Sequence, residues 1–270
     1  MSSSEHDSRV AYCKEHNVHH LFELMASRLL VERPENPFEY LRELLVTVEN
    51  SKKQTAHDPT MLPSSPLGAK DKLTKITIGT FGIENAGKTT IISALGGNIE
   101  KNPMPTVGFT PTRFQTDRCD LCIFDLGGGA NFRGIWVHYF HDCHGFMFVI
   151  DSAADDAVVE ESLNALRTVA QHKHVRGKPV LVLANKKDLK SSRGVEIVSE
   201  GLLEELFGDV SLYHLVPSCG IEEDPELEKG VDWLLTKIQK EYTHIDKLVE
   251  SQTLEVKMEA EQKRKKLLEE

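Results

Sequence analysis

The feature that most constrains the fold of this chain is residues 82–89, which read G-I-E-N-A-G-K-T. A short apolar run at 75–80 precedes them and a helical pattern at 90–95 follows, so the stretch joins a predicted strand to a predicted helix. In that context the G-x-x-x-x-G-K-[ST] pattern predicts a loop whose backbone N–H groups cradle phosphate at a helix N-terminus. We expect Lys88 to reach the terminal phosphates and the Thr89 hydroxyl to bind Mg²⁺. The predicted nucleotide contacts in this loop are Gly82, Glu84, Asn85, Ala86, Gly87, Lys88, Thr89 and Thr90.

Composition narrows the class of protein and its partners. The chain has 270 residues, enough for one α/β domain with smaller appendages, and its net charge of −10 argues against nucleic acid or an anionic membrane as the main partner. Five cysteines without a disulfide-framework pattern favour a reducing compartment. There is no apolar run of membrane-spanning length, and Ser2 excludes N-myristoylation, which needs glycine there. We therefore expect protein partners to place the molecule on a membrane or organelle.

Residues 15–50 carry two helical patterns separated by two prolines. Pro34 is expected to end the first helix, and Asn36 with Pro37 suits the N-cap and first position of the second. A helical hairpin of this size cannot bury both apolar faces alone. It therefore either pairs with a second copy in a four-helix bundle or packs on the nucleotide domain of its own chain.

This segment resembles a known docking module. The runs H-N-V-H-H-L-F-E at 16–23 and L-V-E-R-P-E-N-P at 30–37 are similar to the dimerization/docking domain of the regulatory subunit of cAMP-dependent kinase. The resemblance implies a homodimer, formed through residues 10–50, that lays an amphipathic helix of an anchoring protein across the bundle. Residues 51–72, rich in Pro, Ser and charge, are predicted to be a linker.

From residue 73 onward, strand and helix patterns alternate. Strands are predicted near 109–125, 145–151, 180–185 and 212–217, and helices near 133–142, 156–172 and 195–207. This alternation predicts an α/β fold of the P-loop NTPase type over residues 73–240, a doubly wound parallel sheet that binds its ligand at the carboxyl ends of the strands.

The last part of the chain, residues 229–270, reads as one long helix. Its start carries an apolar stripe for docking on the sheet, and residues 241–270 are predicted to be a charged helix with weak heptad order. A projecting helix and a short coiled coil both stand as interpretations. The pattern reaches Glu270 without a helix-stop residue, which favours a chain that continues.

Two stretches are similar to the base-binding motifs of small GTPases. N-K-K-D at 185–188 follows an apolar strand and resembles their guanine-specificity motif. The resemblance implies that the Asp188 carboxylate accepts hydrogen bonds from guanine, that Asn185 braces the site, and that the Lys186 stem covers the base. Cys219 and Gly220 stand where small GTPases carry a short loop whose backbone N–H contacts guanine O6. Gly220 replaces the usual alanine of that loop.

Two further stretches resemble the metal and switch motifs of the same proteins. In I-F-D-L-G-G at 123–128, Asp125 would hold Mg²⁺ through water and the Gly128 N–H would contact the γ-phosphate. Thr106, in P-T-V-G-F at 105–109, would close on Mg²⁺ when the γ-phosphate is present. The expected Mg²⁺ site is therefore Thr89, Thr106 and Asp125.

Together these motifs resemble the Arf-like branch of the Ras superfamily over residues 73–245, and within it the ciliary type, the thirteenth. The phrases that carry the resemblance are at 105–109, 124–129, 133–140 and 229–235. The resemblance implies a GTP/GDP-binding switch and scaffold in a cilium or flagellum. It implies that partners hold the protein on the cytosolic side, and that it promotes nucleotide exchange on another Arf-like GTPase.

Two departures from the family pattern bear on turnover. Gly129 stands where small GTPases carry the glutamine that orients the attacking water, so no catalytic residue is assigned and hydrolysis is expected at or below the low end of roughly 10⁻⁴–10⁻² s⁻¹. Glu84 replaces the usual aspartate, and its longer carboxylate could perturb the pocket or repel the γ-phosphate. Neither departure suggests a replacement mechanism.

Three hypotheses follow. The protein is a GTP-loaded switch that works by binding, a slow hydrolysing GTPase in which another residue positions water, or a dimeric axonemal adapter with a structural nucleotide. The first and third are compatible, and we favour them together.

Overall fold

A computed structural model of the chain describes residues 36–54, 73–101, 103–106, 108–116, 118–199, 201–208 and 210–269, together with Met25, Leu29 and Pro34. The chain divides into two compact units, residues 1–72 and 73–270. In the first unit, helix α1 spans Pro37–Gln54. Apart from Met25, Leu29 and Pro34, the first helix of the predicted hairpin lies outside the described residues, and so do residues 55–72 of the predicted linker.

Helix α1 begins where the sequence predicts. The backbone N–H of Glu39 donates to Asn36 Oδ1 at 3.3 Å, and Asn36 Nδ2 donates to Glu39 Oε2 at 3.2 Å, so the cap is a reciprocal pair with proline at the first helical position. The helix continues to Gln54, past the predicted start of the linker at residue 51, because residues 51–54 contain neither proline nor glycine.

The second unit is built on a six-stranded sheet of order β2-β3-β1-β4-β5-β6. The strands are β1 Thr74–Phe81, β2 Phe109–Gln115, β3 Cys119–Leu126, β4 Gly145–Asp151, β5 Val180–Asn185 and β6 Tyr213–Pro217. Every neighbouring pair is parallel except β2 and β3. The predicted parallel sheet is therefore confirmed for five strands and wrong at the β2 edge.

The error at the edge has a local cause. The region near 109–125, which is predicted to be strand, is a hairpin. The Thr116 hydroxyl accepts hydrogen bonds from the backbone N–H groups of Arg118 and Cys119 and reverses the chain. A tight turn of this kind can only join antiparallel strands.

Helices cover both faces of the sheet. They are α2 Lys88–Leu95, α3 Asp156–Ala170, α4 Leu202–Phe207, α5 Pro225–Lys240 and α6 Tyr242–Glu269, with 3₁₀ helices at Arg133–His138, Phe140–Asp142 and Gly194–Ile197. Two buried apolar clusters result, one around Phe81, Phe146 and Phe148 and one around Ile78, Ile91, Met147 and Leu234. This two-sided core explains why β4 and β5 are almost continuously apolar.

The C-terminal segment differs from the single helix predicted. The chain breaks at Glu241 (φ −112°, ψ 18°), and α6 turns back onto the body of the unit. Ile245 and Val249 are buried there, and so is Gln252, which reads in the sequence as an interruption of the apolar stripe. The first half of α6 is thus a docked element rather than a projecting one. Among the described residues, no helix combines the length and apolarity needed to cross a membrane.

His144 connects the sheet to the C-terminal helix. It is buried at the start of β4, where its Nδ1 accepts a hydrogen bond from the Thr77 backbone N–H at 3.1 Å. Its Nε2 lies 3.2 Å from Asp246 Oδ1 of α6, so this side chain ties the sheet to the C-terminal helix.

Candidate nucleotide site

The loop between β1 and α2 adopts the shape that the sequence predicts. Gly82 has φ 142°, and a Cβ at this position would lie 2.3 Å from the Val149 carbonyl oxygen. Gly87 has φ 95°, and a Cβ there would lie 2.2 Å from Asn185 Nδ2. Both glycines are therefore required by backbone conformation and by close packing against the sheet ends.

Lys88 is held inside the loop at the N-terminus of α2. Its Nζ donates to the Ile83 carbonyl oxygen at 2.9 Å, and the side chain is almost completely buried. Burial lowers the pKa of Lys88 to about 8, with the carboxylates of Asp125 and Glu84 acting in the opposite direction. The ammonium is therefore mostly charged at neutral pH and already largely desolvated, which suits it to an anionic ligand.

The three predicted Mg²⁺ residues meet at one point, although they come from separate segments. The Thr89 hydroxyl donates to Asp125 Oδ2 at 2.6 Å, and the Thr106 hydroxyl donates to the same oxygen at 3.1 Å. The two hydroxyl oxygens are 2.8 Å apart. Burial raises the pKa of Asp125, and the two hydroxyl donors oppose that shift.

This cluster fits a hard divalent cation. Asp125 Oδ1 is buried and makes no hydrogen bond with the described residues, so one carboxylate oxygen is left for another partner. Hydroxyl and carboxylate oxygens are the ligands that Mg²⁺ prefers. Thr89, Thr106 and Asp125 would hold the ion, and the ion would neutralise phosphate charge. Among the described residues, no group of three or more His, Cys, Asp or Glu side chains forms another metal site.

The end of β3 is packed directly on the phosphate loop. A Cβ at Gly128 would lie 2.4 Å from the Ile83 carbonyl carbon, so only glycine allows this approach. Arg133 Nε donates to the Gly128 carbonyl oxygen at 2.8 Å, and Trp136 Nε1 donates to the Gly127 carbonyl oxygen at 2.9 Å. The segment that follows β3 is thereby fixed against the loop.

Gly129 is different from its neighbour Gly128. Among the described residues, the atoms nearest to a Cβ at position 129 belong to the Phe132 ring, at 3.4 Å, and to Glu84 Oε2, at 3.6 Å, which are ordinary van der Waals contacts. Its backbone is also not in the left-handed region. Neither packing nor conformation therefore demands glycine here.

The predicted base-binding residues gather at the carboxyl end of β5. Asn185 is buried, and its Nδ2 donates to the Ala86 carbonyl oxygen at 2.9 Å, so it connects the base end of the site to the phosphate loop. Lys186 has φ 66°, and its Nζ lies 2.7 Å from Asp151 Oδ2. Asp188 is exposed and accepts a hydrogen bond from Cys219 Sγ at 3.2 Å.

The loop after β6 explains the glycine that replaces the usual alanine. Gly220 is buried, and a Cβ there would lie 3.0 Å from Thr90 Cγ2 and from the Ile91 backbone nitrogen. The loop therefore runs so close to α2 that alanine would force a shift. Burial raises the pKa of the adjacent Cys219 thiol to about 11, which keeps it protonated as the donor to Asp188.

The structure adds positioning residues that the sequence reasoning missed. Asp224 accepts from the Cys219 backbone N–H at 2.7 Å and pairs with Lys187 Nζ at 2.6 Å, so it holds the two base-binding loops together. Asp151 fixes the Lys186 side chain. Asp151 ends an apolar strand at the ligand edge, and that signal could have identified it. Asp224 lies in an acidic loop with no local signal.

Family models match two parts of the chain. The model described as the ADP-ribosylation factor family matches residues 65–238. A model described as Inactive adenylate kinase_N matches residues 1–47, which cover most of the segment for which docking is predicted.

Individual relatives agree with the longer match. ADP-ribosylation factor-like protein 13B of Chlamydomonas reinhardtii is 33% identical over 188 residues, which are 68% of this chain and 36% of that protein. The protein of the same name from Caenorhabditis elegans is 36% identical over 127 residues, 47% of this chain and 34% of that protein. The chain thus spans about a third of the length of these two relatives.

Two shorter relatives are matched over nearly their whole length. ADP-ribosylation factor-like protein 6 of Danio rerio is 34% identical over 177 residues, 64% of this chain and 92% of that protein. A solved structure, the Arl6 BBS3 small GTPase from Trypanosoma brucei with the bound nucleotide analogue GppNp, is 27% identical with a TM-score of 0.56. The similarity covers 62% of this chain and 99% of that one.

Proposed function

The chain belongs to the ADP-ribosylation factor family, and from that premise we propose that it is a GTP-binding switch and scaffold that changes state mainly by nucleotide exchange. The observation that carries this proposal is the convergence of Thr89, Thr106 and Asp125. A cation held by all three would link the phosphate loop to the segment that precedes β2. Binding of a γ-phosphate would therefore be coupled to the position of that segment.

Selection of guanine is supported by the base end of the site. The Asp188 carboxylate can only accept hydrogen bonds, which matches the N–H donors on the edge of guanine and not the edge of adenine. Asn185 and Asp224 hold the two loops in place, so the acceptor is positioned before the base arrives.

Slow turnover is supported by Gly129. The position has room for a side chain and lacks one, so the group that orients water in small GTPases is missing while the phosphate and metal contacts are present. We therefore expect nucleotide state to persist, and the protein to work by what it binds in that state.

The similarity to the 13B proteins supports a more specific role. We infer that the GTP-bound form promotes exchange on another Arf-like GTPase in a cilium or flagellum. Helix α6 contributes a surface for this task because it contacts Phe140–Asp142, just beyond the segment that follows Gly129, and because Leu254 and Met258 are exposed on it.

Anchoring is a separate part of the proposal. Residues 10–50 would form a homodimer that docks an amphipathic helix of an anchoring protein, and the nucleotide would then have a structural role for the adapter. The support for this arrangement is the sequence resemblance and the capped helix α1, on which Phe38 is 83% exposed.

An exchange assay tests the switch. A panel of Arf-like GTPases from the same organism is loaded with fluorescent mant-GDP, and release is followed after adding this protein in its GDP or GTP form. We expect only the GTP form to accelerate mant-GDP release. The Thr106→Ala variant should lose this effect, because it removes the link between the metal ion and the segment that precedes β2. Equal rates with both nucleotide forms would rule out the exchange role while leaving GTP binding intact.

A further inference from the structure

The carboxylate of Glu84 lies on the side of the site where a γ-phosphate would bind. Glu84 directly follows Ile83, whose carbonyl oxygen accepts the hydrogen bond from Lys88 Nζ at 2.9 Å. Gly128 also packs against the backbone of Ile83, because a Cβ at position 128 would lie 2.4 Å from the Ile83 carbonyl carbon. Lys88 and Gly128 are the two residues expected to contact the γ-phosphate. Glu84 is therefore adjacent to both of the contacts that the γ-phosphate is expected to make.

The same carboxylate borders the open space at Gly129. Glu84 Oε2 lies 3.6 Å from the position of a Cβ at residue 129 and is the nearest polar atom to it. Small GTPases carry a glutamine amide at the position of Gly129. In this chain the amide is absent, and the Glu84 carboxylate borders the space that remains. The carboxylate also acts on the ammonium of Lys88, whose pKa it raises against the effect of burial.

We propose that Glu84 is a specificity-determining residue that lowers the affinity of the site for GTP relative to GDP. The inference rests on the proposed function, because it assumes that the site binds guanine nucleotides. It goes further by assigning the balance between the two nucleotides to one side chain.

The physical reason is charge repulsion that only GTP experiences. GDP ends at the β-phosphate, whereas the γ-phosphate of GTP brings additional negative charge to the side of the loop where Glu84 lies. Glu84 is exposed, so solvent and salt screen the repulsion, and an effect of about tenfold on the affinity ratio is reasonable.

The consequence concerns how the switch is set. When hydrolysis is slow, the binding equilibrium determines whether GTP or GDP occupies the site, and the rate of hydrolysis does not. Occupancy then follows the ratio of GTP to GDP, weighted by the relative affinity that Glu84 determines. The protein would act as a reporter of that ratio.

Fluorescence titration with mant-GTP and mant-GDP in the presence of Mg²⁺ tests this proposal on the full chain. The Glu84→Gln variant should bind mant-GTP about tenfold more tightly and mant-GDP within about twofold of the unmodified protein. Glu84→Asp, which keeps the charge, should stay close to the unmodified ratio. Glu196→Gln removes an exposed carboxylate of a distant 3₁₀ helix and should change neither affinity.

Ionic strength gives a second readout that a merely structural role would not move. For the unmodified protein the affinity ratio of GTP to GDP should rise between about 50 mM and about 500 mM salt, because salt screens repulsion between exposed charges. In Glu84→Gln that rise should be smaller. A Glu84→Gln variant with an unchanged ratio, or with both affinities shifted equally, would overturn the assignment. Failure of the unmodified protein to bind either nucleotide would instead refute the proposed function.

Discussion

Three glycines of the candidate site have two different roles. Gly82 and Gly128 are held where any side chain would collide with backbone atoms at 2.3 and 2.4 Å, so their role is to let the phosphate loop close. Gly129 meets no such constraint. Small GTPases carry a glutamine at this position, so we expect its absence to separate nucleotide binding from hydrolysis at the level of one residue.

The Gly129→Gln variant should fold normally and hydrolyse GTP faster. The Cβ contacts of 3.4 and 3.6 Å tolerate the added side chain, and its amide can orient water, so we expect a gain of about tenfold or more. Single-turnover hydrolysis of bound GTP measures it. Gly128→Ala serves as the control, because its Cβ would meet Ile83 and should disrupt nucleotide binding itself. An unchanged rate in a stable Gly129→Gln variant would show that the glutamine alone is not what is missing.

Asp188 should set the choice of base through its acceptor character. Asp188→Asn replaces an acceptor by a donor, so GTP affinity should fall by on the order of 10²–10⁴-fold, while xanthosine triphosphate, which carries an acceptor at the same edge, should gain. Competition against a fluorescent nucleotide measures both. Asp232→Asn, which only breaks an exposed pair with Arg118, should bind as the unmodified protein does, and equal losses for both bases in Asp188→Asn would contradict base selection.

At the scale of elements, the decisive feature is the docking of α6 on the body of the nucleotide unit. Ile245 and Val249 supply buried apolar contact, and polar pairs fix the register, including Thr253 with Asp142 at 3.2 Å. The helix therefore contacts Phe140–Asp142, which lies along the chain beyond the segment that follows Gly129.

Truncation of Ile245 should release this helix. Ile245 is 1% exposed, so Ile245→Ala should destabilise the unit by about 2–4 kcal/mol and increase hydrogen exchange along the first half of α6. Leu254→Ala is the matched control, since that side chain is 58% exposed on the same helix and should cost little. Equal protection of α6 in both variants would contradict the docked arrangement.

Four histidines near α6, two of them buried and two half-buried, should make this docking sensitive to acid. Burial lowers the pKa values of four histidines, and the groups that face them are Asp142, Lys173, Lys178, Asp246, Glu255 and Lys257, together with His138. The four are His141, His144, His172 and His174. Their folded-state pKa values lie below the unfolded value, so the unfolded chain takes up protons first as the pH falls. These histidines should therefore make stability decline as the pH falls through about 6.5.

Urea unfolding between pH 8 and pH 5 checks this expectation. His174→Gln should flatten the decline, because it removes a buried imidazole that lies 3.6 Å from Glu255 and 5.1 Å, centroid to centroid, from His172. His138→Gln removes an exposed imidazole and should leave the slope unchanged. A decline of the same steepness in His174→Gln would assign the acid sensitivity to other groups.

At the scale of the whole molecule, the chain combines two modules that are similar to different protein families. One family model matches residues 65–238 and another matches residues 1–47. The second unit carries its own two-sided core and the complete candidate site. Nucleotide binding should therefore not depend on the first unit.

Removal of residues 1–50 tests this independence. We expect the full chain to run as a dimer in light scattering and the shortened chain to run as a monomer that binds GTP with unchanged affinity. In cells the shortened chain should lose the ciliary or flagellar position that we propose for the full chain. A monomeric full chain would contradict the dimer, and a loss of GTP binding on truncation would contradict the independence of the two units.

Much of the site could be predicted from the sequence because its motifs are local. The phosphate loop, the D-x-x-G segment and N-K-K-D each encode a backbone conformation and a set of side chains within a few residues, and each follows an apolar strand. Asn185, Lys88 and Asp125 were therefore identified with their elements, and their meeting followed from the rule that parallel strands end at one edge.

Only the tertiary structure decided which segments that are distant in the sequence contact each other, because no local sequence pattern encodes those contacts. Asp224 reaches back to Cys219 and Lys187, Glu84 borders the space at Gly129, and α6 returns to cover residues 140–142. Residue types and periodicity determine which segments form helices, strands and ligand loops, because those depend on neighbours in the chain. Distances between such segments depend on how the whole core packs. The sequence therefore indicated possible repulsion by Glu84, but only the fold placed its carboxylate beside Gly129.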